Sequence, residues 1–174
     1  MNTVGSLSIS FQGCGTAIAN FSIDNNGGHQ ELSRLTQVYG HDCGKGAEPP
    51  ARDLTGSWYD PTHDGEGFII EQLSPSQVLV VWFTYDAKGS ASWLLSNGNV
   101  NGSEISFDEL VQPEGGKFGR SFDPKEITRL PWGKLSLELD CASGEATYTP
   151  SVPGYQGGSQ QLVALTRLKD SGCR

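Results

Sequence analysis

GSLSISFQGCGTAIANFSIDNNGGHQELSRLTQVYGHDC, residues 5–43, is answered late in the chain by GKLSLELDCASGEATYTPSVPGYQGGSQQLVALTRLKDSGC, residues 133–173. Gly5 matches Gly133, and the alternating Leu7, Ile9 and Phe11 match Leu135, Leu137 and Leu139. Cys14 aligns with Cys141, an aromatic follows (Phe21 or Tyr148), and each copy then has a Gly-Gly pair, Gly27-Gly28 or Gly157-Gly158. Leu32-Ser33-Arg34-Leu35 aligns with Leu165-Thr166-Arg167-Leu168, and each copy closes on a cysteine, Cys43 or Cys173. A repeat of this size sets the unit of folding, because one copy cannot bury its own apolar face. Residues 54–132 have no twin, so the order is B–A–B′: a complete A–B′ unit preceded by half of another. On that reading residues 1–44 are a half-repeat that packs on the main domain or on a neighbour. Residues 45–53 are a linker, and 54–174 are the complete β unit.

Working outward from the repeat, alternation of apolar and polar residues over Gly5–Phe11 predicts a half-buried strand. Ala17–Ile23 and Glu31–Val38 read as two more, split by the turn-rich Asp24–Gly28. In the A segment, strands are expected over Gly67–Leu73, Gln77–Tyr85, Ser92–Ser96 and Glu104–Val111. Gln77–Tyr85 (QVLVVWFTY) is apolar on both faces and reads as a central strand covered on both sides. B′ adds Lys134–Leu139, Glu145–Thr149 and Gln161–Leu168. No amphipathic helix is evident. About eight short strands at even spacing over residues 54–173 predict an all-β fold, an antiparallel barrel or sandwich, with three further strands in the N-terminal half-repeat.

Composition narrows the function class. Charged residues make up 18% of the 174, below the roughly 25% of an average soluble protein, while Gly is abundant at 23, which favours strands and turns over helices. A net charge of −8 argues against nucleic acid, whose phosphates need a basic surface. No apolar run reaches the ~18 residues of a membrane span. Met1-Asn2-Thr3 opens no signal peptide, so the sequence either starts after one or never had one. Four cysteines allow three connectivities. The repeat favours Cys14–Cys43 with Cys141–Cys173, against the alternative of four free thiols. No C-x-x-C spacing suggests zinc. Disulfides imply an oxidising compartment, and the protein is expected to be secreted, either extracellular or periplasmic.

Two resemblances bear on the fold. Trp58 in Gly56-Ser57-Trp58 on the first strand of the unit, with Arg167 in the last, resembles lipocalin and avidin barrels, which implies that Trp58 closes one end and Arg167 packs across it. The whole A–B′ pattern more closely resembles a two-cysteine repeat module of secreted bacterial proteins. It rests on Gly56, Trp58, Tyr59, Pro61, Gly65, Gly67, Phe68, Trp82-Phe83-Thr84-Tyr85-Asp86, Gly89, Trp93, Gly133, Cys141, Leu165-Thr166-Arg167-Leu168 and Cys173. The likeness spans residues 54–173 and, for B alone, 5–43. It implies a location beside secreted enzymes or on surface proteins, and no particular chemistry.

Three constellations carry candidate chemistry. Asp60, Thr62, Asp64 and Glu71, with Gly65, have the spacing of a calcium loop, where several oxygens must converge from one tight turn. The flanks read as strands, and Pro61 with Gly65 also fits a plain hairpin, so solvated acids in a turn are the competing reading. His63, Asp64 and Glu66 lie close together, but no nucleophile or oxyanion donor accompanies them and no catalytic signature appears. No catalytic residue is therefore assigned and no cofactor beyond calcium is expected. The aromatics Tyr59, Trp82, Tyr85 and Trp93 form the third group. Such rings stack on sugars or line a pocket for a small ligand, and they equally serve as core. Two functions follow as expectations. One is a secreted, non-catalytic module binding carbohydrate or another small ligand. The other is a structural surface repeat that associates with copies of itself, as a homo-oligomer or filament, by strand pairing or exchange.

Overall fold

The computed structural model describes residues 4–24, 26–41, 43, 50–117, 119–169 and 172. Three strands, β1 (Gly5–Phe11), β2 (Thr16–Ile23) and β3 (Asn26–Ser33), form an antiparallel sheet of their own. Eight more follow: β4 (Gly56–Tyr59), β5 (Gly67–Ser74), β6 (Gln77–Tyr85), β7 (Ala91–Asn101), β8 (Glu104–Glu114), β9 (Thr128–Leu139), β10 (Ser143–Pro150) and β11 (Gly158–Ala164). These close into a barrel in the order β10-β11-β4-β5-β6-β7-β8-β9. Closure comes at β11 and β4, where Val163 pairs with Tyr59 and Ala164 with Trp58, and this decides the fold as barrel and not sandwich. Two short 3-10 turns, Gly119–Ser121 and Pro124–Glu126, lie between β8 and β9.

Period-two alternation fills the barrel, because successive side chains on a strand point to opposite faces. Phe68 and Ile70 of β5, Val78, Val80 and Trp82 of β6, and Leu135, Leu137 and Leu139 of β9 all point inward and are buried. The inward phase of β9 switches between Trp132 and Leu135, opposite a bulge near Leu110 of β8. Gly133 sits at that switch, where a Cβ would lie 2.4 Å from the Thr149 carbonyl oxygen, so only glycine fits. β6 departs from the expectation of a strand covered on both sides. Its second face, Leu79, Val81, Phe83 and Tyr85, lies on the outside of the barrel, and Phe83 and Tyr85 are exposed.

One end of the barrel is plugged by residues 52–55, part of which was expected to be linker; residues 44–49 lie outside the described residues. Leu54 is buried and accepts a hydrogen bond from Trp58 Nε1 at 3.3 Å. Arg52 donates to the Gly102 carbonyl at 2.9 Å and to the Leu139 carbonyl. Asp53 accepts from the Thr55 amide at 2.9 Å and pairs with His41 Nε2 at 2.8 Å. Because β4 is half the length of β5, it leaves the far end of β5 without a strand partner on that side. There the Gln72 amide donates to the Thr55 hydroxyl and the Tyr39 amide donates to the Gln72 carbonyl. Trp58 thus belongs to the core near the plug. Arg167 is exposed beyond β11, and the guanidinium reaching over this end is that of Arg52.

The two three-stranded sheets share a register. Leu7, Ile9 and Phe11 face Phe21, Ala19 and Ala17, as Leu135, Leu137 and Leu139 face Tyr148, Ala146 and Gly144. Phe21, Ala19 and Ala17 face Gly28, Gln30 and Leu32, as Tyr148, Ala146 and Gly144 face Gly158, Gln160 and Leu162. Even the hydrogen bond closing the sheet corresponds, Arg34 N–H to the Gly15 carbonyl and Ala164 N–H to the Ala142 carbonyl. The alignment of Leu32 with Leu165 is therefore corrected: the pairing puts Leu32 level with Leu162, and Gly28 lies in strand β3, not in the turn. A strand can slip in a sequence match, but its hydrogen-bond ladder fixes which residues share a face. The environments differ sharply. Leu135, Leu137 and Leu139 are 2%, 0% and 1% exposed, whereas Leu7, Ile9 and Phe11 are 66%, 47% and 79% exposed.

Cys14 and Cys43 form the expected disulfide, joining the β1–β2 turn to the segment after β3. Cys141 is disulfide-bonded as well. Its expected partner, Cys173, lies outside the described residues.

Candidate functional site

The end of the barrel opposite the plug carries the longer loops, 60–66, 86–90, 115–127 and 151–157. Long loops on a rigid scaffold are where binding groups concentrate. Towards this end the lumen is aromatic. The ring of Trp82 stacks on Phe68 at 5.1 Å, meets Trp132 edge-on at 5.4 Å and leans on Tyr148 at 5.0 Å. Tyr155, from the 151–157 loop, closes on Trp132 at 5.5 Å. Each such pair adds about 0.5–1.5 kcal/mol to the burial of the rings, so the cluster is a firm floor.

Polar groups gather beside this floor. Glu66, at the end of the 60–66 loop, accepts from the Thr84 hydroxyl at 3.2 Å and from Gln160 Nε2 at 2.7 Å. Gln112 Nε2 donates to the Ser92 hydroxyl at 3.2 Å. Thr84 and Ser92 are cross-strand partners one step beyond the Trp82 and Leu94 layer. Burial, and then the negative charge of Glu66, raise the Tyr148 phenol above its ordinary pKa, so it stays a protonated donor well past neutrality. Trp82 itself is 3% exposed, and its Nε1–H has no hydrogen-bond partner among the described residues. A buried donor left without a partner costs about 1–3 kcal/mol.

The expected aromatic set divides. Trp82 is the centre of the lumen floor. Tyr59, Tyr85 and Trp93 are on the outer surface, where Trp93 pairs directly across the strands with Phe83 and both are exposed. With Ile69 and Tyr85 they form an apolar band over β5–β7. The Tyr85 hydroxyl rests against Gly65, whose φ of 91° and lack of Cβ allow the approach.

Of the proposed calcium residues, Asp60 and Thr62 hydrogen-bond each other, Glu71 bonds Thr36, and Asp64 is exposed. Asp60 is buried in the 60–66 turn and accepts from the Thr62 amide at 2.8 Å, the Thr62 hydroxyl at 2.7 Å and His63 Nδ1 at 3.0 Å. The Thr62 amide, then its hydroxyl, hold the Asp60 carboxyl below its ordinary pKa, outweighing the partial burial that opposes them. Glu71 accepts from the Thr36 hydroxyl instead of turning to this loop. Among the described residues no three His, Cys, Asp or Glu side chains gather as a metal site. The trio His63, Asp64 and Glu66 also separates: His63 bonds Asp60, Asp64 is exposed, and Glu66 joins Thr84 and Gln160.

Sequence reasoning missed Trp132, Tyr148, Tyr155, Gln112 and Gln160. A signal existed for two of them: Tyr148 and Gln160 share the inward phase of the apolar strand positions around them. Trp132 precedes the Gly133 switch, and Tyr155 arrives on a loop, so alternation says nothing of either. Comparison with protein-family models, with curated proteins and with solved structures returned no match.

Proposed function

We propose that this chain is a secreted, non-catalytic binding module whose long-loop barrel end takes a carbohydrate or a similarly small polyhydroxylated ligand. The reading rests on one observation above others: a buried indole N–H without a partner, set in an aromatic floor beside a group of hydrogen-bonding side chains. A sugar has both surfaces that such a site serves. Its C–H face stacks on Tyr155, the partly exposed ring resting on buried Trp132, and its hydroxyls exchange with the bonds among Glu66, Thr84, Gln160, Ser92 and Gln112. The Cys14–Cys43 disulfide supports an oxidising compartment. Enzyme chemistry lacks comparable support: among the described residues Glu66, the acid beside the floor, is held by the Thr84 hydroxyl and the Gln160 amide, which are not proton-transfer partners.

The test is titration with a panel of mono- and oligosaccharides, following the four indole N–H signals by two-dimensional NMR. The Trp82 signal is expected to move, and Gln160→Leu is expected to weaken binding about tenfold or more. Saccharides that bind but shift only Trp93 would transfer the site to the outer band, and no response at any indole would end the carbohydrate reading. A second reading, an assembling surface repeat, is favoured by the exposed apolar face of β1–β3.

A further inference from the structure

We propose that the inner face of β1–β3 is one wall of a second barrel, completed by a five-stranded segment of the β4–β8 type not contained in residues 1–174. The occupant is identified by what covers the corresponding face elsewhere in the same molecule. β9–β11 has the same strand order, the same pairing register and the same closing hydrogen bond, and β4–β8 completes its barrel. Leu7, Ile9, Phe11, Phe21, Gln30 and Leu32 stand where Leu135, Leu137, Leu139, Tyr148, Gln160 and Leu162 stand. The glycines correspond too. A Cβ on Gly28 would meet the Phe21 ring at 2.6 Å, and one on Gly158 would meet the Tyr148 hydroxyl at 2.8 Å.

Among the described residues, both edges of the sheet lack a strand partner, and Leu7, Ile9, Phe11 and Leu32 on its face are exposed. β9 gives its outer edge to β8 and β11 gives its edge to β4, whereas β1 and β3 pair only with β2 among the described strands. An open edge beside an apolar face is the arrangement that accepts added strands. At one end, Ile9, Phe11, Ala17 and Leu32 line a hollow of about 610 Å³ beside the Cys14–Cys43 bridge. Exchange among copies of this chain does not complete every barrel. Each copy carries one β4–β8 segment against two three-stranded sheets, so exchange among copies always leaves one sheet per copy uncovered.

The full-length chain is mixed with a labelled polypeptide of its own residues 50–117, and the complex is read by fluorescence anisotropy, sedimentation and amide hydrogen exchange. A one-to-one complex is expected, with new protection of the β1 and β3 amides. Ile9→Asp, on the inner face, is expected to weaken capture at least about 30-fold, and Ser8→Asp, on the opposite face of β1, to leave it unchanged. Absence of a complex would overturn the proposal, as would capture without protection of β1 and β3. Capture undiminished by Ile9→Asp would do the same, because the segment would then be entering through β9–β11. Self-association of the full chain through this face, with no uptake of the segment, would assign the surface to a second copy instead.

Discussion

Leu137→Ala and Ile9→Ala make the same kind of truncation at corresponding positions of two sheets, and the structure separates their costs widely. Leu137 faces Ala146 on β10 and Ile105 on β8, all three fully buried. Removing three carbons there forfeits about 2–2.5 kcal/mol of transfer free energy at ~0.8 kcal/mol per methylene. The unfilled cavity brings the loss to about 3–4 kcal/mol. With an m value of about 2 kcal/mol/M, the urea midpoint should fall by nearly 2 M. Ile9 faces Ala19 and is half exposed, so its truncation should cost below about 0.5–1 kcal/mol. Two signals divide the molecule conveniently. The four tryptophans, Trp58, Trp82, Trp93 and Trp132, all lie on barrel strands, so fluorescence follows the barrel alone, while far-ultraviolet circular dichroism follows all eleven strands. Leu137→Ala should shift both transitions and Ile9→Ala neither. A loss of 2 kcal/mol or so in either signal for Ile9→Ala would mean that its face is already covered in the isolated chain, and the reasoning from exposure would fail.

Three further outcomes are expected. Replacing Cys14 and Cys43 by serine opens a loop of 29 residues, worth about 3–4 kcal/mol of denatured-state entropy; hydrogen exchange in β1–β3 should accelerate several hundredfold while tryptophan fluorescence stays native. Asp60 has its carboxyl held down by Thr62, so its contribution is present above the unfolded carboxylate value near 3.9 and is lost as pH falls through the lower folded value. Urea midpoints measured from neutral pH into acid should therefore drop more steeply for the parent chain than for Asp60→Asn. Tyr148 behaves in the opposite sense: its phenol is raised, so its contribution is present below about 10 and is lost as pH rises through the higher folded value. Tyrosinate absorbance should show one late-titrating tyrosine, and Tyr148→Phe should abolish it and flatten the alkaline fall in stability.

Much of the barrel is legible in the residues. Alternation at Gly67–Leu73, Glu104–Val111 and Lys134–Leu139 finds strands because period two is a property of the backbone. The strand ends are less legible, and β7, β8 and β9 all run past the expected limits, since a neighbour's ladder can hold residues whose own pattern is indifferent. The aromatic site was half legible. Gln77–Tyr85 is apolar at every position but its polar first residue and Thr84, so nothing in it tells which face is the lumen. Only the pairing with β5 and β7 turns Trp82 inward and leaves Phe83 and Tyr85 outside. Glu66 read as one of three acid–base residues in a turn. Its role at the mouth depends on Gln160, 94 residues away, which no local spacing reports.

By itself the sequence determined an all-β chain and two stretches, 5–43 and 133–173, alike enough to share a register, and it favoured the pairing of Cys14 with Cys43 that the structure then showed. These are short-range properties, carried by alternation, turn residues and spacing. Only the tertiary structure decided that eight strands close into a barrel, which end is plugged, and where the unpartnered Trp82 N–H sits. It alone decided that β9–β11 takes the five strands of β4–β8 while Leu7, Ile9 and Phe11 of β1 stay exposed. The reason is competition: two sheets of one register met a single complement, and which of them closed around it is a long-range outcome that neither stretch encodes locally.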